Sequence, residues 1–328
     1  MGKTEYTVGI DLGGTKILAA LVDDKGAVKG EIKTKTLADR GPEEVINRLL
    51  HSVENLLTDH QMTTESVAAL GMGAPGMVDI ERAEVISAPN MQGWQNILIG
   101  DILKNRLDIP VYVGNDVNMG LLGEFYFGAA QGYKDVIGVF VGTGIGGALI
   151  INGQIITGTH HMAGEIGHMV ISKKSKKALC GCGNTGCFEA FGSKIAIARK
   201  IDSAIKKGDE TSLPFNDIRS LKSNTLKKAV KKQDDLVIKI IRKASKDIGI
   251  GIANLLNILD PELVVVGGGV IESLGDFMLP LIQNEVIKNT ISYEQRNTKI
   301  VESQLGDHAV VIGAASYARH QLMTKENV

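Results

Sequence analysis

The sequence predicts an α/β fold built from two related halves, on three observations. Short apolar runs bounded by glycine turns alternate with stretches whose apolar residues recur at helical spacing. A unit of strand, glycine turn, strand, turn and strand stands near the N-terminus and recurs after residue 135. Long helical patterns then surround one further apolar strand. Two copies of one supersecondary unit imply a duplicated fold with a cleft between the copies.

Tyr6–Leu12 is a β run ended by Gly13-Gly14, a second strand spans Ile17–Val22, and a third follows the Asp24-Lys25-Gly26 turn at Ala27–Lys33. From Pro42 to Gln61, Val45, Ile46, Leu49, Leu50, Val53, Leu56 and Leu57 fall on one helical face, with Pro42 suited to the first turn. Val67–Gly73 reads as a strand, Ile97–Leu107 as a helix, Val111–Gly114 as a strand and Asp116–Phe127 as a helix. The second unit runs through strand Val136–Val141, turn Gly142–Gly147, strand Ala148–Ile151, turn Asn152-Gly153 and strand Gln154–Ile156. Helices at Leu236–Leu259 and Ser273–Lys288 flank the strand Leu263–Val266.

A chain of 328 residues has room for two domains, and 44% hydrophobic with 22% charged residues is an ordinary globular balance. The net charge of −1 exerts no long-range pull on nucleic acid or anionic membranes. No apolar stretch approaches the ~20 residues that span a bilayer. Residues 1–6 run into the first strand without a leader pattern, so a cytoplasmic protein is expected. The basic runs Lys173–Lys177 and Lys227–Lys232 lack interleaved aromatics and read as solvated faces.

All three cysteines fall in Cys180-Gly-Cys182-Gly-Asn-Thr-Gly-Cys187, and His168 stands upstream in Gly-Glu-Ile-Gly-His. Three thiols and an imidazole make a tetrahedral zinc set, with His160 or His161 as substitutes for His168. An odd cysteine count argues against a disulfide framework. Four protein ligands close the coordination shell, so the expected metal is structural.

Glycine at a strand end lets backbone N–H groups approach a phosphate. Asp11-Leu-Gly13-Gly14-Thr15-Lys16 adds a carboxylate, a hydroxyl and a cation, as a magnesium nucleotide requires; the alternative is a plain hairpin turn. It is not a Walker A loop, because Thr15-Lys16 comes in the wrong order and a strand follows. Gly142-Thr143-Gly144-Ile-Gly-Gly147 matches G-x-G-x-x-G, yet a strand follows where a dinucleotide fold needs a helix. Gly267-Gly268-Gly269 fits either a tight strand-to-helix turn or a surface for a flat adenosine.

Together these motifs, with Asn115-Asp116, Glu165-Ile-Gly-His168, Glu189 and Pro89-Asn90-Met-Gln-Gly-Trp94, resemble the ROK family of sugar kinases and related repressors, and within it the bacterial glucokinases. The resemblance covers nearly the whole chain and implies the two-domain actin and sugar-kinase fold, a duplicated ribonuclease H-like architecture. It implies a small α/β domain over 1–114, completed by a C-terminal helix over about 308–328, and a large domain over 115–307 carrying the zinc loop. Asp11, Gly13, Gly14, Thr15, Lys16, Thr143, Gly144, Gly268 and Gly269 would line the ATP and Mg2+ side. Gly76, Asn90, Asn115, Asp116, Glu165, His168 and Glu189 would hold the sugar, and His168, Cys180, Cys182 and Cys187 would bind Zn2+. The lysine-rich stretch between Met169 and Cys180 departs from the pattern and is expected to bulge outward.

On the sugar side, each carboxylate has a plain alternative. Asp116 opens a helix and reads either as an N-cap or as the base that takes the sugar hydroxyl's proton. Glu165 and Glu189 read as surface charge or as hydroxyl acceptors beside the metal loop, which would fix their geometry. The expected activity is ATP-dependent phosphorylation of glucose at its 6-hydroxyl. N-acetylmannosamine, N-acetylglucosamine, fructose and mannose are the alternative acceptors. A sugar-sensing repressor is disfavoured because the first strand begins near Tyr6 and leaves no helix-turn-helix ahead of it, and a dehydrogenase because of the strand after Gly147. The expected partners are a hexose, ATP and further copies of the chain, as a homodimer or homotetramer.

Overall fold

In the computed structural model, which describes residues 6–172, 178–213 and 221–326, the chain opens on an antiparallel meander. Its strands are β1 (Tyr6–Leu12), β2 (Lys16–Asp23) and β3 (Val28–Lys35), with Gly9 opposite Ala20 and Leu18 opposite Lys33. Helix α1 (Pro42–Asp59) buries the apolar stripe named above and begins at Pro42. Then come β4 (Val67–Ala74), a small antiparallel sheet of β5 (Met77–Asp79), β6 (Glu84–Ser87) and β7 (Gln95–Ile97), α2 (Ile99–Leu107), β8 (Val111–Asn115) and α3 (Asp116–Phe127). The helix expected from Ile97 therefore starts at Ile99, since Gln95–Ile97 pairs with β6.

The second meander is β9 (Val136–Val141), β10 (Ile145–Ile151) and β11 (Gln154–Ile155). After the metal-loop region come α4 (Glu189–Gly192), α5 (Lys194–Ile205), α6 (Ser223–Lys231), α7 (Asp235–Leu259), β12 (Leu263–Gly267), α8 (Ile271–Asn289), α9 (Tyr293–Arg296), β13 (Lys299–Glu302) and α10 (Ala309–Glu326). The turn between β9 and β10 is shorter than expected and ends at Gly144. Gly146 and Gly147 lie in the strand, opposite Phe140 and Val139. A Cβ on Gly147 would strike Ile166 and the Gly164 carbonyl, so the glycine serves packing on a strand and not a turn.

The two five-stranded sheets share one plan. Their orders are β3-β2-β1-β4-β8 and β11-β10-β9-β12-β13, each an antiparallel meander followed by two parallel strands. This is the duplicated, actin-like sugar-kinase fold.

The chain divides into one unit of Met1–Gly132, Thr157–Ala163 and Asp307–Val328, and a second of Tyr133–Ile156 and Gly164–Gly306. The first runs past 114, where a break was expected, because α3 packs along α10 and against β4. Gly9 and Gly71 make room for α10: a Cβ on either would run into the backbone at Val311 or Ala314. Each unit has its own apolar core. That of the first joins α1 to β1, β2 and β4, with Trp94 buried in it. That of the second joins β9 and β12 to α5, α7 and α8, with Phe188 fully buried. Among the described residues, no helix is long and apolar enough to cross a membrane.

Candidate active site

The β1–β2 hairpin holds the first group of expected nucleotide residues. The Gly13 N–H donates to the Lys16 carbonyl (2.9 Å), while Thr36 clamps the turn from beyond β3. Its hydroxyl donates to the Gly13 carbonyl (2.6 Å) and its N–H to the Thr15 carbonyl (3.0 Å). Gly14 and Thr15 stay exposed, and no atom lies within 4 Å of where a Cβ on Gly14 would sit. Asp11 is the penultimate residue of β1, with its carboxyl buried. Burial pushes it up to about 6, partly offset by Lys16 and reinforced by Asp307. Lys16 Nζ lies 3.9 Å from Asp307 Oδ2, so a cation and two carboxylates share the open end of this hairpin.

In the second unit Thr143 and Gly144 form the matching turn, closed by the Gly142 N–H donating to the Gly144 carbonyl (2.9 Å). Gly268, at φ +85°, sits directly on Val141, and the Val270 N–H donates to the Val141 carbonyl (3.0 Å). The Gly268-Gly269 turn and the Thr143-Gly144 turn therefore meet at the end of β9.

Asn115, not Asp116, caps α3. Its Oδ1 accepts from the N–H groups of Val117 (2.9 Å) and Asn118 (3.1 Å), and its Nδ2 donates to the Gly76 carbonyl (2.9 Å). Gly76 must be glycine, since a Cβ there would strike the Ser87 carbonyl and φ is +84°. Gly76 thus enters through its backbone, and Asn115 has its amide committed on both sides. Asp116 stands in the first helical turn, its Oδ1 accepting the Val117 N–H (2.9 Å). Asn90 is exposed in the β6–β7 connection, in which Trp94 is buried.

The metal set forms within the second unit. Ligand atoms of His168, Cys180, Cys182 and Cys187 all lie within 4.8 Å of one another. Zinc–sulfur bonds of ~2.3 Å at tetrahedral angles place two sulfurs about 3.8 Å apart and a sulfur and a nitrogen about 3.5 Å apart. Cys182 Sγ to Cys187 Sγ is 3.8 Å and Cys180 Sγ to His168 Nδ1 is 3.5 Å, so the donors fit zinc in type and spacing. All three thiols are unpaired by disulfide. Burial pushes the Cys180 thiol up to about 12 and raises Cys187, while the Asn184 N–H lowers Cys182 to about 7. A metal must therefore displace protons held by the buried pair. The loop is seated by Phe188, packed on Gly251 of α7, and by its N–H donating to the Met169 carbonyl (2.7 Å).

His161 is no substitute ligand: it belongs to the first unit, with Nε2 3.6 Å from Asp79 Oδ2, and His160 lies outside the thiol cluster as well. Glu165 and His168 flank a single 3-10 turn, with Glu165 Oε2 3.7 Å from His168 Nε2. Nδ1 thus faces the thiols and Nε2 faces Glu165. The expected bulge after Met169 falls on 173–177, outside the described residues. Sequence reasoning missed Thr36 and Asp307, which reach the hairpin from distant segments, and Gly306 before Asp307 (φ +52°) was the local signal of a turn.

Comparison with known proteins bears on the family of the chain. The ROK family model matches residues 7–321. A glucokinase of Halalkalibacterium halodurans is 30% identical over 318 residues, 96% of this chain and 96% of that one. A xylose repressor of Caldicellulosiruptor bescii is 30% identical over 93% of this chain and 76% of its own. The crystal structure of a ROK family glucokinase from Streptomyces griseus, in complex with glucose and AMPPNP, is similar at a TM-score of 0.82 and 32% identity, over 96% of this chain and 99% of that one. With one family model spanning both units and relatives matched over nearly the full chain, this chain belongs to the ROK family.

Proposed function

We propose that this protein is a hexose kinase that transfers the γ-phosphoryl group of ATP to the 6-hydroxyl of glucose. The observation that carries the reading is the start of α3, where Asn115 caps the helix and Asp116 stands next to it in the first turn, joined through Asn115 to the Gly76 carbonyl. Asp116 takes the proton of the 6-hydroxyl as that oxygen attacks the γ-phosphorus in line. The bond to the bridging oxygen breaks and ADP leaves. Gly76 and Asn115 hold the position of Asp116. Asn90, Glu165, His168 and Glu189 accept and donate to the remaining sugar hydroxyls. Asp11, Gly13, Gly14, Thr15, Lys16, Thr143, Gly144, Gly268 and Gly269 are the residues read as binding the nucleotide. Asp11 would hold magnesium, which would supply neutralisation of the charge on the transferring phosphates. The repressor relatives share the fold, and turnover is what separates the two classes.

A coupled assay of ADP release over glucose, mannose, fructose, N-acetylglucosamine and N-acetylmannosamine tests the reading. Glucose should give the highest kcat/KM. A different preferred sugar corrects the acceptor, and sugar binding without ADP release from any of them overturns the kinase.

The donor set also supports a structural zinc held by His168, Cys180, Cys182 and Cys187. Metal analysis should find about one zinc per chain, from one closed four-ligand site. Chelation should weaken sugar binding roughly tenfold or more, the loss of one or two charge-assisted hydrogen bonds, because Glu165 and His168 share a turn and Glu189 follows Cys187. Purified protein without zinc, or stripped protein with full sugar affinity, would refute it.

A further inference from the structure

The metal loop grips the second unit's phosphate turn as well as carrying sugar residues. Glu189 Oε2 accepts the Ile145 N–H (3.1 Å), directly after the Thr143-Gly144 turn. A Cβ on Gly144 would overlap that same oxygen, so the carboxylate is packed against the turn itself. Its other oxygen, Oε1, accepts from the Cys180 thiol (3.4 Å). Two further bonds come from the segment that Glu189 begins: the Lys194 N–H donates to the Gly142 carbonyl (3.0 Å) and the Ile195 N–H to the Thr143 carbonyl (3.4 Å). Phe188, fully buried, fixes the start of this segment on α7. A turn of small residues has little packing of its own to define its shape. Here its shape is imposed by the residues that follow the last cysteine.

We propose that Glu189 is a positioning residue for the nucleotide: a strut from the metal loop that fixes the Gly142–Ile145 backbone, so that the metal loop sets nucleotide affinity as well as sugar affinity. This rests on the reading of Thr143-Gly144 as part of the nucleotide site. It differs from a role for Glu189 in sugar binding alone, because its effect should be present with no sugar in solution. The two roles are compatible. Once Cys180 is bound to metal its sulfur has no proton to donate, which leaves Oε1 for a sugar hydroxyl while Oε2 keeps the turn.

Two substitutions separate the strut from a sugar contact. Glu189→Gln retains an oxygen for the Ile145 N–H and should keep nucleotide affinity within about twofold, while Glu189→Ala removes the acceptor and should weaken it roughly tenfold, the loss of one charge-assisted hydrogen bond. Affinity is read by equilibrium titration of a fluorescent ATP analogue with Mg2+ and no sugar, after zinc content and a melting curve show that each variant is intact. Amide hydrogen exchange at Ile145 supplies a second readout: faster in the Ala variant, unchanged in the Gln variant. Should the Ala variant lose zinc or fail to fold, Glu189→Asp shortens the side chain, keeps the charge and should still speed exchange at Ile145. Equal nucleotide affinity and equal Ile145 exchange in wild type and in the Ala or Asp variant overturn the strut. A wild-type protein that binds no ATP analogue overturns the nucleotide reading instead, and exchange at Ile145 still judges the strut.

Discussion

Asp116→Asn should lower turnover by about 10²–10⁴-fold, the usual contribution of a positioned general base. Asparagine is isosteric and can still hydrogen-bond a hydroxyl, but it cannot accept the proton. The structure removes the main objection to this experiment. The cap of α3 is Asn115, through the Val117 and Asn118 N–H groups, and asparagine caps about as well as aspartate in any case, so the substitution spares the helix. The substitution removes a negative charge from the first turn of α3, worth roughly 0.3–1 kcal/mol, while an asparagine oxygen can still accept the Val117 N–H. The melting midpoint should therefore move by only a few degrees. Sugar affinity should change far less than kcat, because the hydrogen-bonding frame around the ring persists. Steady-state kinetics with a melting curve decides the matter. A folded variant that phosphorylates sugar at near wild-type rate removes Asp116 from the role of base.

Most regular elements were legible because each rests on a local pattern. β1 has the bounds its apolar run implied, and α1 buries the seven positions named from their spacing. The doubled meander was visible for the same reason, and the cysteine run converges because its ligands are close in sequence and the turns between them are short. Errors arose where a distant segment decides. Gly146 and Gly147 read as turn residues, yet β9 recruits them into β10, and Ile166 packs where a side chain on Gly147 would be. The return of the C-terminal helix to the first unit was expected, but the break at 114 left out α3, which packs along α10. The cap of α3 moved by one residue because Asn115 is also held by the Gly76 carbonyl. Asp307 and Thr36 carry no motif of their own and become visible only once β1 and β2 are paired.

Asp11→Asn should stabilise the ligand-free protein and disable it. The Asp11 carboxyl is pushed up to about 6 from 3.8, first by burial and then by Asp307, against the pull of Lys16. Between those two values the folded chain holds a proton that the unfolded chain has already lost, so stability falls as pH rises through the window. Above about 6 the full burden remains. At ~1.4 kcal/mol per pKa unit it amounts to at most about 3 kcal/mol at neutral pH. Asparagine has the same shape and never ionises, so the variant should exceed the wild type in denaturant resistance at pH 7.5 by about 1–3 kcal/mol. The two should converge below about pH 4, where Asp11 is protonated in both states. Activity should move the other way, by a loss of about 10²-fold or more, since the group that bears the burden is the one proposed to hold magnesium beside the β1–β2 turn. Unfolding curves at both pH values and kinetics at saturating sugar test this together. A variant no more stable than the wild type at pH 7.5 would show that Asp11 is well solvated, and one that keeps its rate would show that magnesium is held elsewhere.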